Sequence, residues 1–288
     1  MSELFCFGFG YSARTLAQRL RTQGWRVSGT VRSAERAAAL ADDGFDAFVY
    51  GGDAADPRVA SALASATHLL LSAPPLAEGD PLLVHHRAEL EAAPHLQWIG
   101  YLSTVGVYGN HDGDWIDESA PLNATQKRGK KRAVTEQTWL DFGTGAGKSV
   151  QVFRLAGIYG PGRSTIDKLQ QGNARRIVKP GQVFNRIHVE DIASVLEASI
   201  ARPCGGAVYN VCDDEPAPPQ NLVAFAAELI GVKPPPEIPF DTADLTPMAR
   251  SFYGENKRIS NARIKDELGV KLAYPTYRVG LRAIAGLL

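Results

Sequence analysis

Two short stretches carry residues whose types and spacing suit chemistry. They are Gly8-Phe9-Gly10-Tyr11-Ser12-Ala13 and the basic run Arg128-Gly129-Lys130-Lys131-Arg132. A glycine pattern of the first kind is weak evidence alone. It gains weight because an apolar run, LFCF, precedes it and residues at helical spacing follow it. Gly8 permits a tight turn. Gly10 lets backbone N–H groups approach an anion closely, and Ala13 is small enough for the helix to pack on the strand. The unpaired N–H groups and the helix dipole then favour a diphosphate. At the end of the second strand, about 20 residues on, an NAD site normally has a carboxylate for the ribose 2′-hydroxyl. Here stand Thr30, Val31, Arg32 and Ser33 instead. Arg32 offers a charge-assisted fork to a 2′-phosphate, which favours NADP over NAD. Asp53 is either an acceptor for the adenine amino group or a plain loop aspartate.

The basic run sits at a helix start, where positive charge opposes the macrodipole. A bound anion or the surrounding fold must compensate. Nucleic acid is not that anion: no aromatic residues interleave the run, and Lys+Arg 31 balances Asp+Glu 31 over the whole chain. Cys6, Cys204 and Cys212 are too few for a disulfide framework and wrongly spaced for zinc. They read as small apolar residues in a reducing compartment. His85, His86, Glu89 and Glu91 form no organised metal set, so no metal is expected. The N-terminus lacks the basic start of a signal peptide, and no apolar run approaches the roughly 20 residues of a membrane span. The expectation is a soluble cytoplasmic protein.

These residues need elements to position them. Strand patterns at 4–10, 25–32, 45–53, 67–75, 97–109 and 149–162 alternate with helical patterns at 12–24, 34–44, near 57–66, near 80–93 and 129–143. Such alternation predicts an α/β protein with a Rossmann, doubly wound parallel sheet. A chain of 288 residues also has room for a smaller C-terminal substrate lobe. The predicted division is a Rossmann domain over 1–160, with 183–212 returning to it, and a lobe of 161–182 plus 213–288.

LSTVGVYG (102–109), DESAPLN (117–123), VFRLAGIYGPG (152–162), NRIHVEDIA (185–193), VYNVCDDEP (208–216) and NKRISNARIKDELG (256–269) follow the glycine turn in order. Together they resemble the short-chain dehydrogenase/reductase superfamily, on its extended, epimerase/dehydratase-like side. Phe7 takes the first glycine slot of the extended pattern, which is similar to atypical members. The resemblance implies cofactor contacts from Gly8, Gly10, Tyr11, Ser12, Ala13, Arg32, Ser33, Asp53, Ser72, Ala73, Pro74, Ser103, Arg132 and Ala156. Family chemistry uses Ser/Thr with a Tyr-x-x-x-Lys pair, often followed by a glutamate four residues later. With Glu136 in the glutamate's slot, Arg132 holds the lysine position, Arg128 the tyrosine position and Thr104 the Ser/Thr position. A guanidinium, with pKa above about 12, does not shuttle protons near neutrality. Arg132 retains donors for a ribose, and Arg128 can bind an anionic group. Equally, the run is a solvated helix start. Tyr108, Tyr159, Tyr11 and His188 are the remaining proton donors to weigh.

The resemblance therefore implies an NAD(P)-dependent oxidoreductase or epimerase-like enzyme with a rearranged proton donor. The alternative is an NADP(H)-binding sensor or regulatory protein without turnover. Its partner would be a small anionic or sugar-nucleotide-like molecule. Many relatives pair as homodimers.

Overall fold

The structure is a computed structural model that describes residues 1–287. The chain forms two compact units. The first comprises Met1–Ser103, Lys131–Arg154 and Ile192–Tyr209, and the second Thr104–Lys130, Leu155–Asp191 and Asn210–Leu288.

Strands β1 (Glu3–Phe7), β2 (Arg26–Val31), β3 (Asp46–Val49), β4 (His68–Leu71), β5 (Trp98–Thr104), β6 (Val150–Leu155) and β7 (Val208–Val211) make one sheet, ordered β7-β6-β5-β4-β1-β2-β3. The pairs β1–β2, β1–β4, β2–β3 and β4–β5 are parallel. All residues of β1 and β4 are buried. That is why, after Glu3 and His68 at their starts, their sequences are continuous apolar runs rather than alternating ones, as expected of a parallel sheet covered on both faces. The order reverses between β1 and β4, so their carboxyl ends flank the switch point where such sheets take ligands.

The connecting helices are α1 (Tyr11–Thr22), α2 (Ala34–Asp42), α3 (Pro57–Ser65), α4 (Pro81–His85), α5 (Arg87–Ala92) and α6 (Lys127–Ala146). Two elements differ from their sequence patterns for tertiary reasons. The helix near 80–93 breaks at His86, whose Nε2 accepts a hydrogen bond from the Asp56 N–H at 3.2 Å. The strand pattern at 97–109 stops at Thr104, whose hydroxyl accepts from the Gly106 N–H and caps a 3-10 turn over Val105–Val107. The first unit's core gathers Phe5, Tyr101, Trp139 and Phe142.

The second unit contains three short parallel pairs: Gly157–Tyr159 with Arg186–His188, Arg176–Val178 with Glu237–Pro239, and Trp115–Ile116 with Arg258–Ile259. Tyr159, Ile166, Ala226, Tyr277 and Leu281 pack together in it. Residues 161–182 and 213–288 fall wholly in this unit. So does Thr104–Lys130, which the sequence reading places in the Rossmann part. Of the expected return at 183–212, Ile192–Tyr209 lies in the first unit.

Candidate functional site

The end of β1 turns into α1 through Gly8, which sits at φ +91°. A Cβ there would lie 2.5 Å from the Ala73 nitrogen, so the turn and the end of β4 approach as only glycine allows. Hydrogen bonds fix the turn. The Gly8 N–H donates to the Thr30 hydroxyl at 3.0 Å, the Phe9 N–H to the Thr30 carbonyl at 2.7 Å, and the Ala73 N–H to the Phe7 carbonyl at 2.9 Å. Phe9 is buried, with its ring 5.2 Å from that of Phe45. Phe9 owes that place to Gly29 on β2, where a Cβ would meet its ring at 2.8 Å.

In front of this turn lies a cavity of about 250 Å³. Gly8, Gly10, Arg32, Ser72, Ala73 and Pro74, all expected from sequence, line it. A Cβ on Gly10 would meet nothing within 4 Å, so the main chain there opens onto free space. Gly10 is also the N-cap of α1 and has no side chain to satisfy the first-turn N–H groups. Ser12 and Ala13 are buried beneath, packing the helix on the sheet. This cradle fits a diphosphate: donors without side-chain caps, no acidic residue in the first turn, and room for a ligand.

Arg32 is exposed at the rim, and Arg36, also exposed, lines the cavity beside it. Sequence reasoning missed Arg36. No sequence signal singles it out: it lies in the first turn of α2, three residues after the N-cap Ser33. Ser33 itself caps α2, accepting from the Arg36 N–H at 3.4 Å. Tyr50 and Gly51 add a further wall. Asp53 is exposed outside the cavity lining, with its carboxylate 3.1 Å from where a Cβ on Gly51 would stand.

Other expected residues are engaged in structure. Ser103 is buried, and its hydroxyl donates to Glu136. Glu136 also receives Arg154, Nη2 to Oε2 at 2.8 Å, which makes a buried ion pair between α6 and β6. Arg132 donates to the Leu102 carbonyl and, at 3.4 Å, to the Tyr101 hydroxyl. Burial pushes the Tyr101 phenol up to about 12. In the second unit the Thr104 hydroxyl is the 3-10 cap described above, and Ala156 is buried, its N–H donating to the Val211 carbonyl at 3.0 Å.

Arg128 is exposed, and its guanidinium lies 5.7 Å from the centre of the Phe252 ring, itself half exposed. The neighbouring Gly129 is buried. A Cβ there would stand 2.7 Å from the Gly106 carbonyl oxygen, so α6 begins in backbone contact with the turn after β5. No acidic residue stands between Glu118 and Glu136 in the sequence.

The alternative proton donors are placed as follows. The buried Tyr108 hydroxyl donates to Asn210 Oδ1 at 2.7 Å. Tyr159 is buried, and burial raises its pKa far above the usual phenol range. His188 packs between Tyr159 and Tyr274, and burial lowers its pKa to about 4. Tyr11 is half-buried at the first turn of α1. Lowered to that degree, His188 is neutral at physiological pH and has no proton of acid strength to give.

No known family model matches the chain. Among solved structures, a conserved protein of unknown function from Silicibacter pomeroyi DSS is 52% identical with TM-score 0.90, each chain covered over 99%. A candidate NAD-dependent epimerase/dehydratase from Methylobacillus flagellatus is 29% identical with TM-score 0.72, covering 99% of this chain and 98% of that one. The fold recurs in a UDP-glucuronic acid 4-epimerase from Bacillus cereus, solved with NAD, at 15% identity and TM-score 0.77, covering 100% and 96%. Among curated relatives, Protein YeeZ of Escherichia coli K12 is 28% identical, covering 96% of this chain and 97% of its own. A 3-diazoavenalumate denitrifying reductase from a Streptomyces species is 26% identical, covering 98% and 99%.

Proposed function

We propose that the chain belongs to the short-chain dehydrogenase/reductase superfamily, on its extended, epimerase/dehydratase-like side, and that it is an NADP(H)-dependent oxidoreductase acting on a small anionic substrate. The observation that carries this reading is the cavity in front of Gly8 and Gly10 with two exposed guanidiniums, Arg32 and Arg36, on its lining. A bound nicotinamide dinucleotide supplies hydride transfer. The chain supplies the rest. Gly8 and Gly10 admit the diphosphate to main-chain donors. Arg32 and Arg36 grip a 2′-phosphate, whose charge a carboxylate at this place would repel. Arg128, held on Phe252, binds the substrate's anionic group.

The chain's own part in proton transfer is reduced. Arginine stands in both positions where the family has its proton relay. Tyr108 is committed to Asn210, and Tyr159 is buried. General acid–base help typically contributes about 10²–10⁴-fold. The chemistry that suits this site is therefore hydride transfer in which water or the substrate itself handles the proton. The name of the Streptomyces relative, a reductase, supports reduction over epimerisation.

Calorimetric titration with NADPH and NADH tests the cofactor reading. NADPH should bind more tightly, and equal or reversed affinities would remove it. The second reading, NADP(H) binding without turnover, draws on the replacement of the relay by Arg128 and Arg132. Loss of nicotinamide absorbance with any member of a panel of anionic carbonyl compounds and sugar nucleotides decides for an enzyme. Tight binding with no turnover across the panel decides for a sensor.

A further inference from the structure

The lining of the cavity also includes Leu76 and Pro81. Leu76 begins a tight turn to Gly79, closed by Leu76 N–H to the Gly79 carbonyl at 2.8 Å and Gly79 N–H to the Leu76 carbonyl at 3.3 Å. Gly79 sits at φ +131°, open to glycine alone in practice. From below, Gly52 at φ +90° leaves room for the Leu76 side chain, since a Cβ there would stand 3.1 Å from Leu76 Cδ1. From α6, the Lys131 ammonium donates to the Leu76 carbonyl at 2.8 Å. The sequence marks no special place for Lys131, which stands one residue before the family's lysine position.

We propose that Lys131 is a positioning residue of the nucleotide groove: through the Leu76 carbonyl it holds the Leu76–Gly79 turn in place as a wall, and so slows release of the bound dinucleotide. The inference rests on the cavity being the NADP(H) site. The turn has few other restraints. Its tip residues, Ala77 and Glu78, are exposed, and its two internal hydrogen bonds do not tie it to the rest of the unit. A charged donor on a carbonyl is among the stronger single bonds available to such a segment. Segments that wall a ligand set how fast it leaves more than how fast it arrives.

Stopped-flow displacement of NADPH from the full chain tests this, with thermal unfolding in parallel. For K131M the dissociation rate should rise about tenfold, the association rate should stay within about twofold, and the melting temperature should hold. K131R, which keeps a charged donor, should restore slow release. K130M, the same charge change on the exposed neighbour, should leave release as in the unaltered chain. Dissociation from K131M within about twofold of the unaltered chain overturns the proposal. So does faster release accompanied by a lower melting temperature and no rescue by K131R, which marks a merely structural lysine. Should the unaltered chain fail to bind NADPH, the groove reading falls and this one with it. NADPH binding with an unaffected K131M rejects the Lys131 role alone.

Discussion

The groove at Gly8–Gly10 and the start of α6 handle chemistry in opposite ways. The groove is made of main chain: a positive-φ turn, N–H donors at a helix start and close backbone approaches. Its requirements are few and strict, and they fall on glycines and small residues. The start of α6 is made of side chains on a helix that Gly129 seats against the Gly106 carbonyl. There Gly129 and Glu136 tie the helix to its neighbours, while on the proposed reading Arg128 and Arg132 stand in place of the groups that would move a proton. Binding capacity written in the main chain is hard to lose gradually. Chemistry written in side chains changes with single substitutions and leaves the scaffold intact.

The sharpest way to break this contrast is Gly8→Ala. Positive φ and a 2.5 Å approach to the Ala73 nitrogen together should cost about 3 kcal/mol or more, seen in denaturant unfolding, and NADPH binding should vanish. Binding retained in a folded G8A would show that the groove does not depend on its main chain. Next comes Arg32→Ala. Losing one charge-assisted contact should weaken NADPH by about 2 kcal/mol while leaving NADH unchanged in calorimetry. An equal loss for both cofactors would move the 2′-phosphate elsewhere.

A pH experiment separates wall from floor. Asp80, the cap before Pro81, is buried, and desolvation raises its pKa to about 6, partly offset by hydrogen bonds and the Arg132 charge. A raised carboxyl pKa means the folded state binds the proton more tightly, so stability falls as pH rises from the unfolded value of 3.8 to about 6. Asp80→Asn keeps the capping oxygen and removes the ionisation. The variant should be the more stable at neutral pH, with the advantage closing below the unfolded pKa. Parallel unfolding curves across that window would refute a buried, titrating Asp80. The smallest effect belongs to Arg128→Ala. Stability should move by less than about 0.5 kcal/mol and NADPH affinity should hold, while KM for an anionic substrate rises. A change in NADPH affinity instead would make Arg128 a cofactor residue.

The glycine turn was legible because its signals are local: strand, Gly-x-Gly, small residue and helix lie within a dozen positions. Arg36 was not, since an exposed arginine on a helix is ordinary until the cavity beside it is known. Ser103 sits in a cofactor-like position by sequence, yet its hydroxyl turns to Glu136, 33 residues on. The break at His86 comes from an acceptor role toward Asp56, 30 residues earlier. Sequence periodicity carries no trace of either pairing. The role of Lys131 hides for the same reason, because its acceptor is a main-chain carbonyl, to which residue type gives no clue.

The contact of Gly129 with the Gly106 carbonyl has a practical consequence for engineering. A Cβ at 129 would meet the Gly106 carbonyl oxygen at 2.7 Å and the Ala124 Cβ at 2.9 Å, so the first turn of α6 is seated closer than any larger residue allows. Transplanting a phenol at 128 and an amine at 132 would thus exchange the reactive groups on either side of that close contact while leaving Gly129 in place.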